Sequence, residues 1–263
     1  MNKPQAPFTT EEARERAVDR LDVSPRFTEH EALRLNNMFR GSSTHEMLKA
    51  VFEGSLAGDV ATVSSFGAES VVLLHLLAEV NPDVPVLFLD TGKHFAETIA
   101  YRDEVVERLG LTNLQILNPD EAEVIAKDES GLRWSYDPDG CCEIRKVKPL
   151  EEALDRFDAS FTGRKAFQSS TRANLPRFEI DTSDAAGRLK INPLIDWSAE
   201  DIAAYMEEHD LPRHPLVARG FPSIGCEPCT HKVAPGEDPR SGRWKGWDKT
   251  ECGIHKPGEE PFL

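Results

Sequence analysis

An α/β fold with a mostly parallel sheet flanked by helices is what this chain of 263 residues predicts, and three observations carry that prediction. The short apolar runs VATV at 60–63 and PVLFL at 85–89 have the length and composition of strands buried on both faces. Each run is followed by a helical pattern, 70–80 after the first and 94–109 after the second. Strands alternating with helices of that length form βαβ units, which pair in parallel. The length suits one large domain with short appendages, whose core needs no disulfide staples.

The elements follow in order. TTEE at 9–12 has the capping-box pattern and opens a charged helix over 9–21. A second helix is expected over 29–39, and a third over 43–57 from the box STHE. Then the period changes: strand 60–63, the loop SSFGAES at 64–70, helix 70–80, strand 85–89 ended by DTG, helix 94–109 and strand 113–117. A helix runs on from Cys142 to about Phe157 with basic residues on its polar side. Phe161, Phe167, 178–180 and 189–191 read as further strands, and SAED caps a helix to about His209. Beyond Leu211, Pro, Gly and charge dominate, so the last thirty or so residues read as a mobile tail that orders on demand. The organisation expected is a helical segment over 1–58 packed on a core over 59–235, with a C-terminal tail over 236–263.

Charge narrows the partners. Lys and Arg number 31 against 46 Asp and Glu, a net charge of -15, which opposes a nucleic-acid surface. Basic clusters at 145–172 and 213–245 break that acidity beside cysteines, which points to a small anionic substrate. No run approaches the roughly 20 apolar residues of a membrane span, and the first residues lack the apolar stretch of a signal peptide. A cytoplasmic location is therefore expected, where clustered thiols serve metal binding or catalysis.

Two loops follow adjacent strands. SSFGAES ends the first, with hydroxyls and a glycine able to bring backbone amides to an anion; LDTG at 89–92 ends the second. The first loop matches neither GxGxxG nor GxxxxGK[ST], so a dinucleotide or Walker site is unsupported. The five cysteines divide by spacing: the adjacent Cys141 and Cys142, Cys226 and Cys229 in a CxxC, and Cys252 alone in KTECGIH. Four thiols in two pairs suit zinc or an iron–sulfur centre. Adjacent cysteines alternate in direction unless the backbone folds back, which disfavours one tetrahedral ion and favours a cluster. Arg145, Lys146 and Lys148 follow the first pair and offset thiolate charge or bind an anion. Cys252, beside Gly253 and His255, has the setting of a thiol nucleophile on a tail that closes and opens.

SSFGAES, LDTG, CC-x-x-RKV-x-PL, TGRKAFQSSTRANLP, IGCEPCT, GRW and KTECGIH, in this order over about 60–255, resemble the assimilatory adenylyl-sulfate (APS) reductases. The resemblance implies an adenine-nucleotide α-hydrolase-like fold with a modified PP-loop at SSFGAES. It implies a four-iron four-sulfur (4Fe-4S) cluster on Cys141, Cys142, Cys226 and Cys229, and Cys252 as nucleophile. The implied reaction reduces adenosine 5′-phosphosulfate to sulfite and AMP with electrons from thioredoxin. Carried over residue by residue, Lys146 sits between cluster and substrate, and Arg164, Arg240 and Arg243 bind the phosphosulfate. Ser64, Ser65 and Gly67 cradle that same end, Leu89 and Thr91 help hold the nucleotide, and His255 completes the site. The loop departs from the family's GAED at Ser70, and Lys165-Ala166 interrupts a stretch that is more basic in some relatives, so Lys165 is given no role. Rival readings are a 3′-phosphoadenylyl-sulfate (PAPS) reductase, which typically lacks the two cysteine pairs, and a PP-loop ATP-dependent thiolation enzyme.

Overall fold

The computed structural model describes residues 25–168, 172–249 and 253–255. The helix expected over 9–21 lies outside them. Helices α1 (Glu29–Met38) and α2 (Thr44–Glu53) both open on full capping boxes, at Thr28/Glu31 and Ser43/Glu46. The sheet is built from β1 (Val60–Val63), β2 (Val86–Leu89), β3 (Leu114–Leu117), β4 (Ala159–Phe161), β5 (Phe178–Ile180) and β6 (Leu189–Ile191). Its order is β3-β2-β1-β4-β6-β5, parallel throughout except for β5 against β6. The chain winds outward from β1 to β3, then crosses back to place β4 on β1's other side. Strand order therefore reverses between β1 and β4, and ligands of open α/β sheets bind outside the carboxyl ends at such a point.

The two-residue period of β2 sorts its side chains between two cores. Val86 and Phe88 face the larger one, with Phe66, Tyr101 and Phe161. Leu87 and Leu89 face a smaller one with Leu150, Leu154 and Phe157. Helix α3 (Ser70–Val80) is apolar nearly all round because it is enclosed by the sheet, by α2 and by α4 (Ala96–Leu109). Leu73, Leu74 and Leu77 are at most 3% exposed.

Three differences from the sequence reading have physical causes. Helix α5 (Glu121–Asp128), unanticipated, starts on Asp120, whose carboxylate accepts from the Glu123 N–H at 2.7 Å. Phe167 is in no strand: β4 ends at Phe161, and the chain turns through one 3-10 turn (Ala166–Gln168) that leaves Phe167 exposed. The cysteine-pair helix begins earlier than expected, as α6 (Pro138–Cys142), passes through a π turn (Glu143–Val147) and continues as α7 (Lys148–Leu154). The last helix, α8 (Ala199–Glu208), starts on its Ser198 box as expected.

His214 is 1% exposed, with Nε2 3.1 Å from Thr98 Oγ1 and Nδ1 accepting from the Leu216 N–H. Burial pushes its pKa down to about 4. The fold thus holds a neutral imidazole that the unfolded chain protonates near its ordinary value, so the unfolded chain binds more protons between those limits. Stability is expected to fall as pH drops from about 6.5 to 4, by up to about 3 kcal/mol from this residue. Urea midpoints across that range should show a shallower pH slope in His214→Asn; an unchanged slope would place the acid sensitivity elsewhere.

Candidate active site and cysteine centre

A cavity of about 770 Å³ opens at the carboxyl edge of the sheet, at the reversal between β1 and β4. The loop after β1 forms one wall with Ser64, Ser65, Gly67 and Glu69; Leu89 adds the end of β2. Phe66 anchors the loop: fully buried, its ring lies 5.6 Å from Phe88, and its φ of 47° turns the chain sharply. Ser64 Oγ accepts from the Phe66 N–H at 3.2 Å, leaving the hydroxyl proton for the cavity. The loop ends in α3, whose amino-terminal dipole favours an anion.

Cations and carboxylates share the rest, with Asp139, Glu143, Glu151, Asp181 and Asp238 among the lining residues. Lys146, Arg164, Lys165, Arg240 and Arg243 all reach the wall. Arg164, from the loop after β4, is tied to Thr162, Asn192 and Glu179. Lys165 is 3% exposed and pairs with Glu69 at 3.0 Å; burial, largest, lowers its pKa against the pull of that carboxylate. Arg243 stacks on Trp244 at 4.4 Å and keeps a buried Nε without a hydrogen-bond partner. A cavity of this size, polar at chosen points and partly apolar around Leu150 and Leu154, suits a nucleotide-sized anion.

The two cysteine pairs come together beside this wall. Cys141 and Cys142 end α6, where adjacent residues lie about 100° apart rather than on opposite faces as in a strand. Burial, then Cys142 and Cys226, pushes the Cys141 thiol up to about 11. Burial, then Cys226, also raises Cys229, with Cys142 adding to it. Each pair therefore feels the other. Cys226 goes the opposite way: although burial opposes it, Lys146, the Thr91 hydroxyl and Arg243 lower its pKa. Thr91 Oγ1 is 3.3 Å from Cys226 Sγ. Lys146 thus acts on the Cys226 and Cys229 sulfurs while also lining the cavity. Among the described residues, no group of three or more His, Cys, Asp and Glu side chains is placed to hold a metal ion as it stands.

The segment expected to be a loose tail is docked over part of its length. Trp244 is 4% exposed, and its N–H donates to Cys229 O at 3.1 Å. His231 N–H donates to Gly242 O, and Thr230 bridges Arg243. The CxxC loop itself is clamped to the LDTG loop by Glu227 N–H to Lys93 O at 2.8 Å. Gly253 and Ile254 line the cavity, with Ile254 packed on the smaller core. A Cβ on Gly253 would lie 2.8 Å from Val147 Cγ2, so a side chain there would make the Val147 methyl or the segment shift. At Gly225 a Cβ would stand 2.3 Å from Arg243 Nη2, so a side chain there would make the guanidinium move. Gly225→Ala is expected to displace the Arg243 guanidinium and raise the substrate KM about tenfold, with kcat less affected. Steady-state kinetics check this, and an unchanged KM would remove Arg243 from ligand contact.

Of the residues named from sequence, Ser64, Ser65, Gly67, Leu89, Lys146, Arg164, Arg240 and Arg243 line the cavity. Thr91 faces Cys226 instead. Cys252 lies outside the described residues, as does the His255 side chain. Sequence reasoning missed the Glu69–Lys165 pair and the burial of Arg145, which donates to Asp128 and Thr91. The Asp120 cap was the legible signal for α5; nothing in the sequence pairs Arg145 with it.

Residues 59–232 match the phosphoadenosine phosphosulfate reductase domain. An adenosine 5′-phosphosulfate reductase from Mesorhizobium japonicum is 54% identical over 78% of this chain and 79% of its own length. A phosphoadenosine 5′-phosphosulfate reductase from Gloeobacter violaceus is 44% identical over 73% and 80%. The crystal structure of a phosphoadenylyl-sulfate reductase from Candida auris, a phosphate complex, superposes with a TM-score of 0.66 at 26% identity, covering 80% of this chain and all of that one. Candida glabrata FMN adenylyltransferase shares the fold at a TM-score of 0.52 and 17% identity, covering 84% and 82%. An anion loop at the switch point, a basic cavity and a docked carboxyl-terminal segment thus occur on a known scaffold, and the chain belongs to the phosphoadenosine phosphosulfate reductase domain family.

Proposed function

We propose that this chain reduces adenosine 5′-phosphosulfate to sulfite and AMP in sulfate assimilation, drawing on a dithiol donor such as thioredoxin. The observation that carries the reading is one cavity that joins the 64–70 loop, the cations Lys146, Arg240 and Arg243, and Gly253–Ile254 of the ECGIH segment. The phosphosulfate would lie along the amino terminus of α3 and the basic wall, with the nucleotide against Leu89 and the apolar floor.

In the first step, the Cys252 thiolate attacks the sulfur of the phosphosulfate; the S–O bond to phosphorus breaks and AMP departs with the electron pair. The product is an S-sulfocysteine on Cys252. A thiolate of the donor then attacks Cys252 Sγ, the S–S bond breaks, and sulfite leaves with its electron pair. The donor's second thiol resolves the mixed disulfide, so the donor is oxidised to a disulfide and Cys252 returns as thiolate. Two anions must meet in the first step. Lys146, Arg240 and Arg243 offset that repulsion where charge develops, and residues 236–263 act as the catalytic tail.

The donor set fits a 4Fe-4S cluster on Cys141, Cys142, Cys226 and Cys229. Four thiols on two separate elements spread their attachment points, Thr91 supplies a hydroxyl to one sulfur, and Lys146 offsets thiolate charge. When bound, the cluster would supply fixed charge beside the cavity and a clamp between α6 and the CxxC loop. Among the described residues no helix is long and apolar enough to cross a membrane; with reduced thiols required, the cytoplasm is the compartment we assign.

A second reading, reduction of the 3′-phosphorylated substrate, is motivated by relatives of comparable identity that carry either name. The cysteine pairs favour the first. Anaerobically purified protein with reduced thioredoxin should release sulfite from APS in strong preference to PAPS. Preference for PAPS would overturn the substrate, and no sulfite from either would overturn the activity.

A further inference from the structure

We propose that Asp128 is a positioning residue that aims the Thr91 hydroxyl at Cys226 through the Arg145 guanidinium. Asp128 ends α5, and its side chain is fully buried. Both its oxygens are engaged as acceptors: Oδ2 by Arg145 Nε at 3.2 Å and Nη2 at 2.8 Å, Oδ1 by the Arg133 N–H at 2.8 Å. Arg145 lies in the π turn directly after the cysteine pair, and its third arm, Nη1, donates to Thr91 O at 2.9 Å. The planar guanidinium, held at two points by Asp128, therefore sets where the Thr91 backbone stands.

The consequence falls on the Thr91 side chain. Its Oγ1 accepts from the Lys93 N–H at 3.2 Å, so its one proton is left for Cys226 Sγ at 3.3 Å. The chain of contacts runs from α5, which lines no part of the cavity, through the element carrying Cys141 and Cys142, to a sulfur of the other pair. An asparagine at 128 cannot replace the carboxylate. All three partners are donors, and its amide would turn a fourth donor toward Arg145 or Arg133.

This inference rests on the four cysteines holding an iron–sulfur cluster, and its test separates the two claims. Iron and sulfide content of the anaerobic wild-type protein tests the cluster: no bound iron sinks that reading and this one with it. With iron bound, resonance Raman of the iron–thiolate stretches in wild type, Thr91→Val, Asp128→Asn and the double variant tests Asp128. Loss of a hydrogen bond to a sulfur ligand strengthens the iron–sulfur bond, so Thr91→Val should shift a stretch upward. Asp128→Asn should shift the same band in the same direction, and the double variant should add nothing to Thr91→Val. An unshifted band in Asp128→Asn, or additive shifts in the double variant, overturns the proposal. Should Asp128→Asn fail to fold, Arg145→Lys decides: it keeps the charge at Asp128 but lacks the arm to Thr91, so the same upward shift is expected, and an unmoved band overturns the relay.

Discussion

Cys252→Ser is expected to lower sulfite release by about a thousandfold or more, because a serine hydroxyl is neither ionised near neutrality nor able to form the S–S bond that carries the sulfo group. The loss should fall on chemistry rather than on binding: the substitution exchanges one sulfur for oxygen and leaves every residue of the β1 loop, the β4 loop and the 240–244 segment that line the cavity unchanged. Incubating wild-type enzyme with APS and no donor should add one sulfo group to Cys252, seen as the mass of a single peptide. The serine variant should show none while still binding AMP. Sulfite release at the wild-type rate, or a sulfo group on another cysteine, would remove Cys252 from the mechanism.

Lys146→Ala is the second large effect. Lys146 lines the cavity and is the leading favourable charge on Cys226, so in the proposed reaction one ammonium would serve both the anionic ligand and the sulfur centre. Removing a cation placed where negative charge converges costs about a hundred- to a thousandfold in rate, ~3 to 4 kcal/mol. The fall should appear in kcat/KM for APS with iron content retained, since the four thiols remain. A rise in KM with kcat intact would instead assign Lys146 to uniform substrate binding. Lys146→Arg should recover only part, because a planar fork does not replace a compact ammonium between two sites.

Much of the sheet was legible from local pattern. The run at 60–63, the helix at 70–80 and the strands at 178–180 and 189–191 lie where the periodicity placed them. Each is short, apolar and bounded by turn chemistry, so its state is decided within its own window. Phe167 was misread because a lone aromatic after a strand suggests a further strand whether or not a neighbouring strand is there to receive it. The π turn at Glu143–Val147 was illegible for a related reason: propensity does not distinguish i+4 from i+5 closure. Arg145, expected to offset thiolate charge or bind an anion, is instead buried against Asp128, which only α5 brings to it.

What the sequence by itself determined is the chemistry available: four thiols in two pairs, a fifth in ECGIH, a phosphate-friendly loop after the first strand and basic residues between them. Residue identity and short spacing carry those properties without any long-range contact. Tertiary structure alone decided how they divide the work. Parallel winding that reverses beside β1 brought loops about 100 residues apart to one cavity, and backbone pairing of 240–244 with the CxxC loop seated Arg243 on its wall. Thr91 went to a sulfur instead of the nucleotide for the same reason: a side chain's partner is set by where the sheet and its crossovers place it, over distances that no local pattern records.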